Sequence, residues 1–306
     1  MKIAILGLGG VGATVAGALN EESKNLILIA RGEAKKAIKE RGLIVESDVL
    51  GNRTVHPSLV SDDSNEIGIV DVIFICCKTY SLESVCRQYK DIIGTDTLVI
   101  PLQNGITASK EIASYLGNKG YVADGYIYCF SNIVEPGMIK NAGQMLKMGI
   151  GFENGRRDEK AEKIVDLLNK GGLKTIYGGE AVKTELWEKY TMMCGNSCAL
   201  IYFDCAVGGI QDDPAKLEFL KGIYTDIKRL ANAAGVKVDE NIVDKYLKVF
   251  MTNPPQSMTS MYRDIIDGRE NNEFDAVAGS GYRLALELGV DVPYIKKVYE
   301  KMNKNS

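Results

Sequence analysis

The sequence predicts an α/β chain in which a doubly wound sheet is followed by an all-helical C-terminal domain. Three observations carry this expectation. Short apolar runs of strand character alternate with helical patterns as far as Tyr177. Beyond Gly179 the pattern is helix upon helix. The 306 residues suffice for two domains of ordinary size, and the expected boundary gives 1-179 and 180-306.

The alternation starts with Lys2-Ile-Ala-Ile-Leu6, a buried-strand run, and passes at once into Gly7-Leu8-Gly9-Gly10-Val11-Gly12. Val11, Val15, Ala18 and Leu19 then recur at helical spacing. In a Rossmann-type unit the first glycine makes the tight turn, the second lets backbone approach a pyrophosphate, and the third lets helix and sheet pack closely. Gly7, Gly9 and Gly12 occupy those places, with Leu8, Gly10 and Val11 completing the loop. Phosphates would sit at the helix N-terminus, where unpaired N–H groups and the helix dipole favour negative charge. A chain with 32 glycines makes the motif weak by itself, and a plain glycine-rich turn competes with it. Its place between a strand and a helix, with a second strand Leu26-Ile-Leu-Ile-Ala30 at the expected distance, favours a dinucleotide.

Arg31 follows that second strand. An acidic residue there would bind a ribose 2′-hydroxyl, whereas a 2′-phosphate needs a cation. A guanidinium grips phosphate through paired hydrogen bonds and stacks on adenine, so NADPH is expected over NADH. A solvated strand-end arginine is the competing account.

Glu33 to Arg41 reads as a short polar helix, and Gly42-Leu-Ile-Val-Glu46 with Arg53-Thr-Val-His56 reads as a hairpin. Val70 to Cys77 is a continuous apolar run suited to a central parallel strand, and it ends at Lys78. Thr97 to Leu102 likewise ends in Gln103-Asn104-Gly105. Open α/β sheets bind ligands beyond the carboxyl ends of their strands, which makes Lys78 and Asn104 candidates for the cofactor site. Asn-Gly is also an ordinary turn pair. Tyr121 to Tyr128 is a further strand, Met138–Lys140 and Met145–Ile150 flank a turn at Asn141–Gly143, Asp158 to Asn169 is a helix, and Lys174–Tyr177 is a last strand.

The second half opens with one long helical segment, Glu180 to Phe203. Asp213-Pro214 is a cap followed by a proline at the first helical position, opening a helix that stops at Gly235. Asp239 to Met251, Glu270 to Leu288 and Pro293 to Met302 complete the helical set.

Composition narrows the function. With 45% hydrophobic and 25% charged residues and a net charge of -3, the chain has no global attraction to nucleic acid or to an anionic membrane. No apolar run reaches the length of a spanning helix, so a cytoplasmic protein is expected. Seven cysteines without a Cys-x-x-Cys pair lack the spacing of a zinc site, and no metal is expected. His56 is the only histidine, which leaves Lys, Glu, Asp, Tyr or Cys to supply a catalytic proton. Lys189 is the best candidate, in a helix otherwise turning apolar, where partial burial would suit a proton donor. An exposed-face lysine fits the sequence equally well.

Gly7 to Gly12, Ala30-Arg31-Gly32, Lys78, Gln103-Asn104-Gly105, Glu135-Pro136-Gly137, Leu186-Trp-Glu-Lys189, Ser260-Met261, Asp264-Ile265, Gly268-Arg269 and Glu273-Phe-Asp275 form an ordered set. Over nearly its whole length the chain resembles the ketopantoate reductase family. The resemblance implies NADPH-dependent reduction of a 2-oxo acid, in that family 2-dehydropantoate (ketopantoate) to pantoate in pantothenate biosynthesis. It implies Lys189 as general acid, Asn104 near nicotinamide and substrate, Lys78 and Glu273 bordering cofactor and reacting centre, and Ser260 touching substrate. Glu273 is accordingly expected both in catalysis and at the cofactor.

Departures from the family pattern concern the substrate. Where the family carries asparagines four and eight residues after the lysine, this chain has Met193 and Ser197, and Ser257 stands three residues before Ser260 in place of another asparagine. Asn196 returns to within roughly 20° of the Lys189 face at about 100° per residue and is expected to compensate. The expected substrate contacts are thus Asn104, Asn196, Ser197, Ser257 and Ser260. A small 2-oxo acid is the expected partner, with no nucleic acid or membrane; a homodimer is left open. A non-catalytic NADPH-binding regulator on the same fold is the alternative.

Overall fold

Two four-residue runs without an exposed side chain, β1 (Ile3–Leu6) and β2 (Leu26–Ile29), lie side by side in a parallel sheet. In the computed structural model, which describes residues 1–153 and 155–304, this sheet has six strands. Numbering along the chain, its order is β5 (Leu59–Ser61), β2, β1, β6 (Val70–Ile75), β7 (Ile93–Pro101), β8 (Tyr121–Val122), with every pairing parallel. The order reverses between β1 and β6, which is where open α/β sheets bind ligands.

Alternate residues of the same strands feed two separate cores. Ile3, Ile5, Leu28, Phe74 and Ile100 belong to one, while Ala4, Leu6, Ile29, Ile75 and Val99 belong to the other. A sheet buried on both faces explains why these strands read as continuous apolar runs instead of alternating ones. The helices of this unit are α1 (Gly10–Ala18), α2 (Gly32–Arg41), α3 (Ser64–Ile67), α4 (Leu82–Gln88), α5 (Ala108–Leu116) and α6 (Glu159–Lys170). Asp158 caps α6 by accepting from the Ala161 N–H at 3.0 Å.

Beyond Val122 no strand joins the parallel sheet, a refinement of the expected alternation. The run read as one strand, Tyr121 to Tyr128, divides at Ala123: β8 stays on the sheet edge, and β9 (Asp124–Tyr128) joins β12 (Lys147–Gly151) and β13 (Lys174–Tyr177) in a three-stranded sheet. Gly125 crosses so close to β7 that a Cβ there would lie 2.4 Å from the Pro101 carbonyl oxygen. A third sheet has the order β10 (Ser131–Glu135), β11 (Met138–Asn141), β3 (Leu43–Ser47), β4 (Arg53–Val55), and its β3–β4 pair is the expected hairpin. Four of the five β10 residues are exposed, so no alternation marked that strand in sequence.

The remaining elements are helical: α7 (Glu180–Phe203), α8 (Gly208–Gln211), α9 (Pro214–Ala233), α10 (Ile242–Met251), α11 (Ser260–Ile266), a π-helical turn (Asp275–Gly279), α12 (Ser280–Leu288) and α13 (Pro293–Lys304). Asp213 caps α9 through the Ala215 and Lys216 N–H groups, with Pro214 at the first helical position as expected. The segment expected to be helical from Glu270 becomes so only at Phe274, whose N–H is held by the Asn272 side chain at 3.0 Å. No described helix is long and apolar enough to cross a membrane.

The chain divides into two units: Met1–Gln103 with Ala108–Lys183, and Asn104–Thr107 with the described residues from Thr184 onward. The division falls four residues after the expected boundary, inside α7. Lys183 is tied to Glu153 at 2.5 Å and Val182 packs on Gly151, both within the first unit. Ile106 packs into the helical core of the second.

Candidate active site

In the first unit β1 runs into the glycine loop. Gly7 has φ +95°, a conformation that L side chains rarely adopt, and a Cβ on it would lie 2.7 Å from the Cys77 nitrogen. A Cβ on Gly12 would stand 2.1 Å from the Gly7 oxygen, so α1 can approach β1 only without a side chain there. A Cβ on Gly9 would meet nothing within 4 Å. Gly9 precedes α1, whose first turn carries no acidic side chain. Space beside Gly9 and an uncapped helix start are what a pyrophosphate needs, so this loop fits a dinucleotide. Gly10 is also under constraint, because a Cβ on it would lie 2.7 Å from Ser131. Leu8 and Val11 are half-buried against the core.

Arg31 is exposed between β2 and α2. A hydrogen bond from Lys35 at 2.5 Å, with a smaller contribution from the Arg31 charge, holds the nearby Asp62 carboxyl below its usual range. Strand β6 ends at Ile75, two residues earlier than the apolar run suggested. The buried Gln103 amide donates to the Ile75 oxygen at 2.8 Å and the Cys77 oxygen at 3.1 Å. It thereby fastens the chain end from which half-buried Lys78 continues.

In the second unit Lys189 lies on α7 and is only 8% exposed, although lysine is almost never buried without a partner. Its ammonium donates to Asn104 Oδ1 at 3.1 Å. Asn104 reaches it from the four-residue segment that interrupts the first unit. A small pocket opens beside Asn104, lined by Asn104, Met193, Ser197, Ser260, Met261, Glu273 and Val277, all from this unit. Met193 and Ser197 follow Lys189 by one and two helical turns, and Val277 follows Glu273 by one. The Glu273 residue is 3% exposed. Tyr190, next to Lys189, donates to the Val277 carbonyl at 2.7 Å and so pins the π-helical turn against α7. In the segment between α11 and that turn, Arg269 pairs with Asp264 of α11 at 2.9 Å.

Two expected substrate residues lie elsewhere. Asn196 does not line the pocket, because its side chain accepts a hydrogen bond from Tyr224 on α9. Gly195 admits the Tyr224 ring at that point, since a Cβ would come within 2.4 Å of it. Ser257 belongs to the turn before α11, where its carbonyl accepts from the Val207 N–H at 3.1 Å, and it is not a lining residue either. Conversely Met261 and Val277 line the pocket without having been expected, and Met193 lines it at the position where the family carries an asparagine. Helical spacing from Glu273 was the signal available for Val277. No group of acidic, histidine and cysteine side chains among the described residues could hold a metal ion.

An uncharacterized oxidoreductase of Bacillus subtilis, YkpB, is 24% identical over 99% of this chain and 98% of its own length. In fold, the chain is similar to 2-dehydropantoate 2-reductase from Methylococcus capsulatus, with TM-score 0.88, 21% identity and coverage of 99% and 96%. It is also similar to D-mandelate dehydrogenase solved with NADH and anilino(oxo)acetate, with TM-score 0.80, 22% identity and coverage of 98% and 96%. The family model for ketopantoate reductase PanE/ApbA matches residues 3–154, and that for its C-terminal part matches residues 181–305. With the two models matched in order along almost all of its length, the chain belongs to the ketopantoate reductase family, a family of oxidoreductases.

Proposed function

We propose that this protein reduces a small 2-oxo acid to the 2-hydroxy acid with NADPH, Lys189 supplying the proton. Ketopantoate is the substrate suggested by the family match. When bound, the dinucleotide supplies the hydride. The Lys189 ammonium donates its proton to the carbonyl oxygen, becomes a neutral amine, and is reprotonated from solvent. Asn104 fixes the direction of that ammonium through the 3.1 Å hydrogen bond. Glu273 and Ser260, in the wall of the same pocket, are assigned to substrate and reacting centre. Gly7, Gly9 and Gly12 would admit the pyrophosphate, Arg31 the 2′-phosphate, and Lys78 would border the cofactor.

The observation that carries this reading is a nearly buried lysine hydrogen-bonded to Asn104 at a pocket that Glu273 also lines. The test is NADPH oxidation, followed by absorbance, with ketopantoate and smaller and larger 2-oxo acids. Turnover that vanishes in Lys189→Ala while NADPH still binds supports the reductase. Tight NADPH binding without oxidation of any acid would support a non-catalytic regulator instead.

A further inference from the structure

We propose that the pocket beside Lys189 prefers a 2-oxo acid with a compact, wholly apolar side chain over one carrying a hydroxyl. This rests on Lys189 acting at the carbonyl. Lys189 is linked to the pocket through Asn104, and along α7 the lining residues Met193 and Ser197 follow it by about 6 Å and 12 Å of helix axis at 1.5 Å per residue. With the carbonyl oxygen at Lys189, the substituents on the next carbons of a small acid reach the level of Met193. Its thioether is only a weak acceptor. Met261 and Val277 extend the apolar wall.

The amide that helical spacing brings nearest to the same face is withdrawn, because Asn196 is bound to Tyr224. Tyr224 is itself fully buried and held by the space at Gly195, so this engagement is part of the helix packing. Ser197 stands a further turn away, beyond a substituent on those carbons. Ser260, at the exposed start of α11, is left for the carboxylate that every 2-oxo acid shares. With Asn104 engaged by Lys189 and Glu273 assigned to the reacting centre, a substrate hydroxyl pressed against Met193 gives up bonds to water that a thioether replaces only weakly.

A matched pair of substrates tests this on the unmodified protein. Trimethylpyruvate is ketopantoate with its hydroxyl replaced by hydrogen, and both become the corresponding 2-hydroxy acid by the same gain of one hydride and one proton. The expected kcat/KM favours trimethylpyruvate by about tenfold or more. Equal or better use of ketopantoate overturns the inference, and if that activity is lost in Lys189→Ala the reductase reading survives it. Failure to reduce either acid, or pyruvate and phenylpyruvate, overturns both. Met193→Asn is expected to move the ratio toward ketopantoate by about tenfold. An unchanged ratio in a folded Met193→Asn variant would show that this side chain does not read the substituent and would overturn the inference as well.

Discussion

The glycine loop of the first unit and the Lys189 pocket of the second are built by opposite means. The loop depends on side chains that are absent: Gly7 and Gly12 have no room for a Cβ, and Gly9 leaves space open. The pocket depends on side chains brought from Asn104, from α7, from α11 and from the turn containing Glu273. The first kind of site is written in six consecutive residues, and the second exists only once positions 104 to 277 have folded together. A change in the loop should therefore act through backbone fit, and a change in the pocket through chemistry.

The largest expected effect separates the two sites directly. Lys189→Ala should lower kcat by about 10²–10⁴, the range of general acid catalysis, while NADPH affinity measured by fluorescence titration stays as in the parent. Loss of both together would break the distinction. Within the loop, Gly12→Ala should cost about 2–3 kcal/mol in urea unfolding, because the new methyl meets backbone that cannot move aside. Gly9→Ala should unfold like the parent yet bind the dinucleotide more weakly; equal destabilisation by both would show that Gly9 is also packed.

Arg31→Asp is expected to weaken NADPH by roughly 10- to 100-fold, the worth of a charge-assisted hydrogen bond to phosphate, and NADH far less. Equal loss of the two cofactors in titration would remove Arg31 from the 2′-phosphate.

The smallest effect concerns stability alone. Asp226 on α9 caps α13 through the Tyr294 and Ile295 N–H groups at 2.7 and 3.1 Å. Burial raises its pKa to about 6 in spite of those bonds and of Arg229 at 3.7 Å. The folded state thus holds this proton more tightly than the unfolded chain does. Stability from this group is fully present below about pH 4 and is lost as pH rises through about 6. Unfolding measured across that window should show the parent losing on the order of 1–2 kcal/mol relative to Asp226→Asn, with turnover unaffected. A constant difference would mean that Asp226 does not titrate there.

The legibility of the chain followed the same division. Strand β1, the glycine loop, α7 from Glu180 to Phe203, and the Asp213-Pro214 start of α9 all stood in the sequence, because each is specified by neighbours along the chain. Strand β10 did not, since its side chains face solvent and leave no periodic trace. The split of Tyr121 to Tyr128 between two sheets was equally hidden, being set by a backbone crossing at Gly125. In the site, Lys189, Asn104, Glu273, Ser197 and Ser260 come together, whereas Asn196 and Ser257 do not. Periodicity placed Asn196 within roughly 20° of Lys189, but an angle on a helix does not say which neighbour claims the side chain. Tyr224, 28 residues further on, decides that.

The short segment Asn104–Thr107 sets a rule for anyone cutting or recombining this gene. A fragment encoding only the helices from Glu180 onward would lack the amide to which Lys189 donates and, with it, one lining residue of the pocket. Grafts between relatives keep an intact pocket only if these four residues travel with the distant half to which they belong.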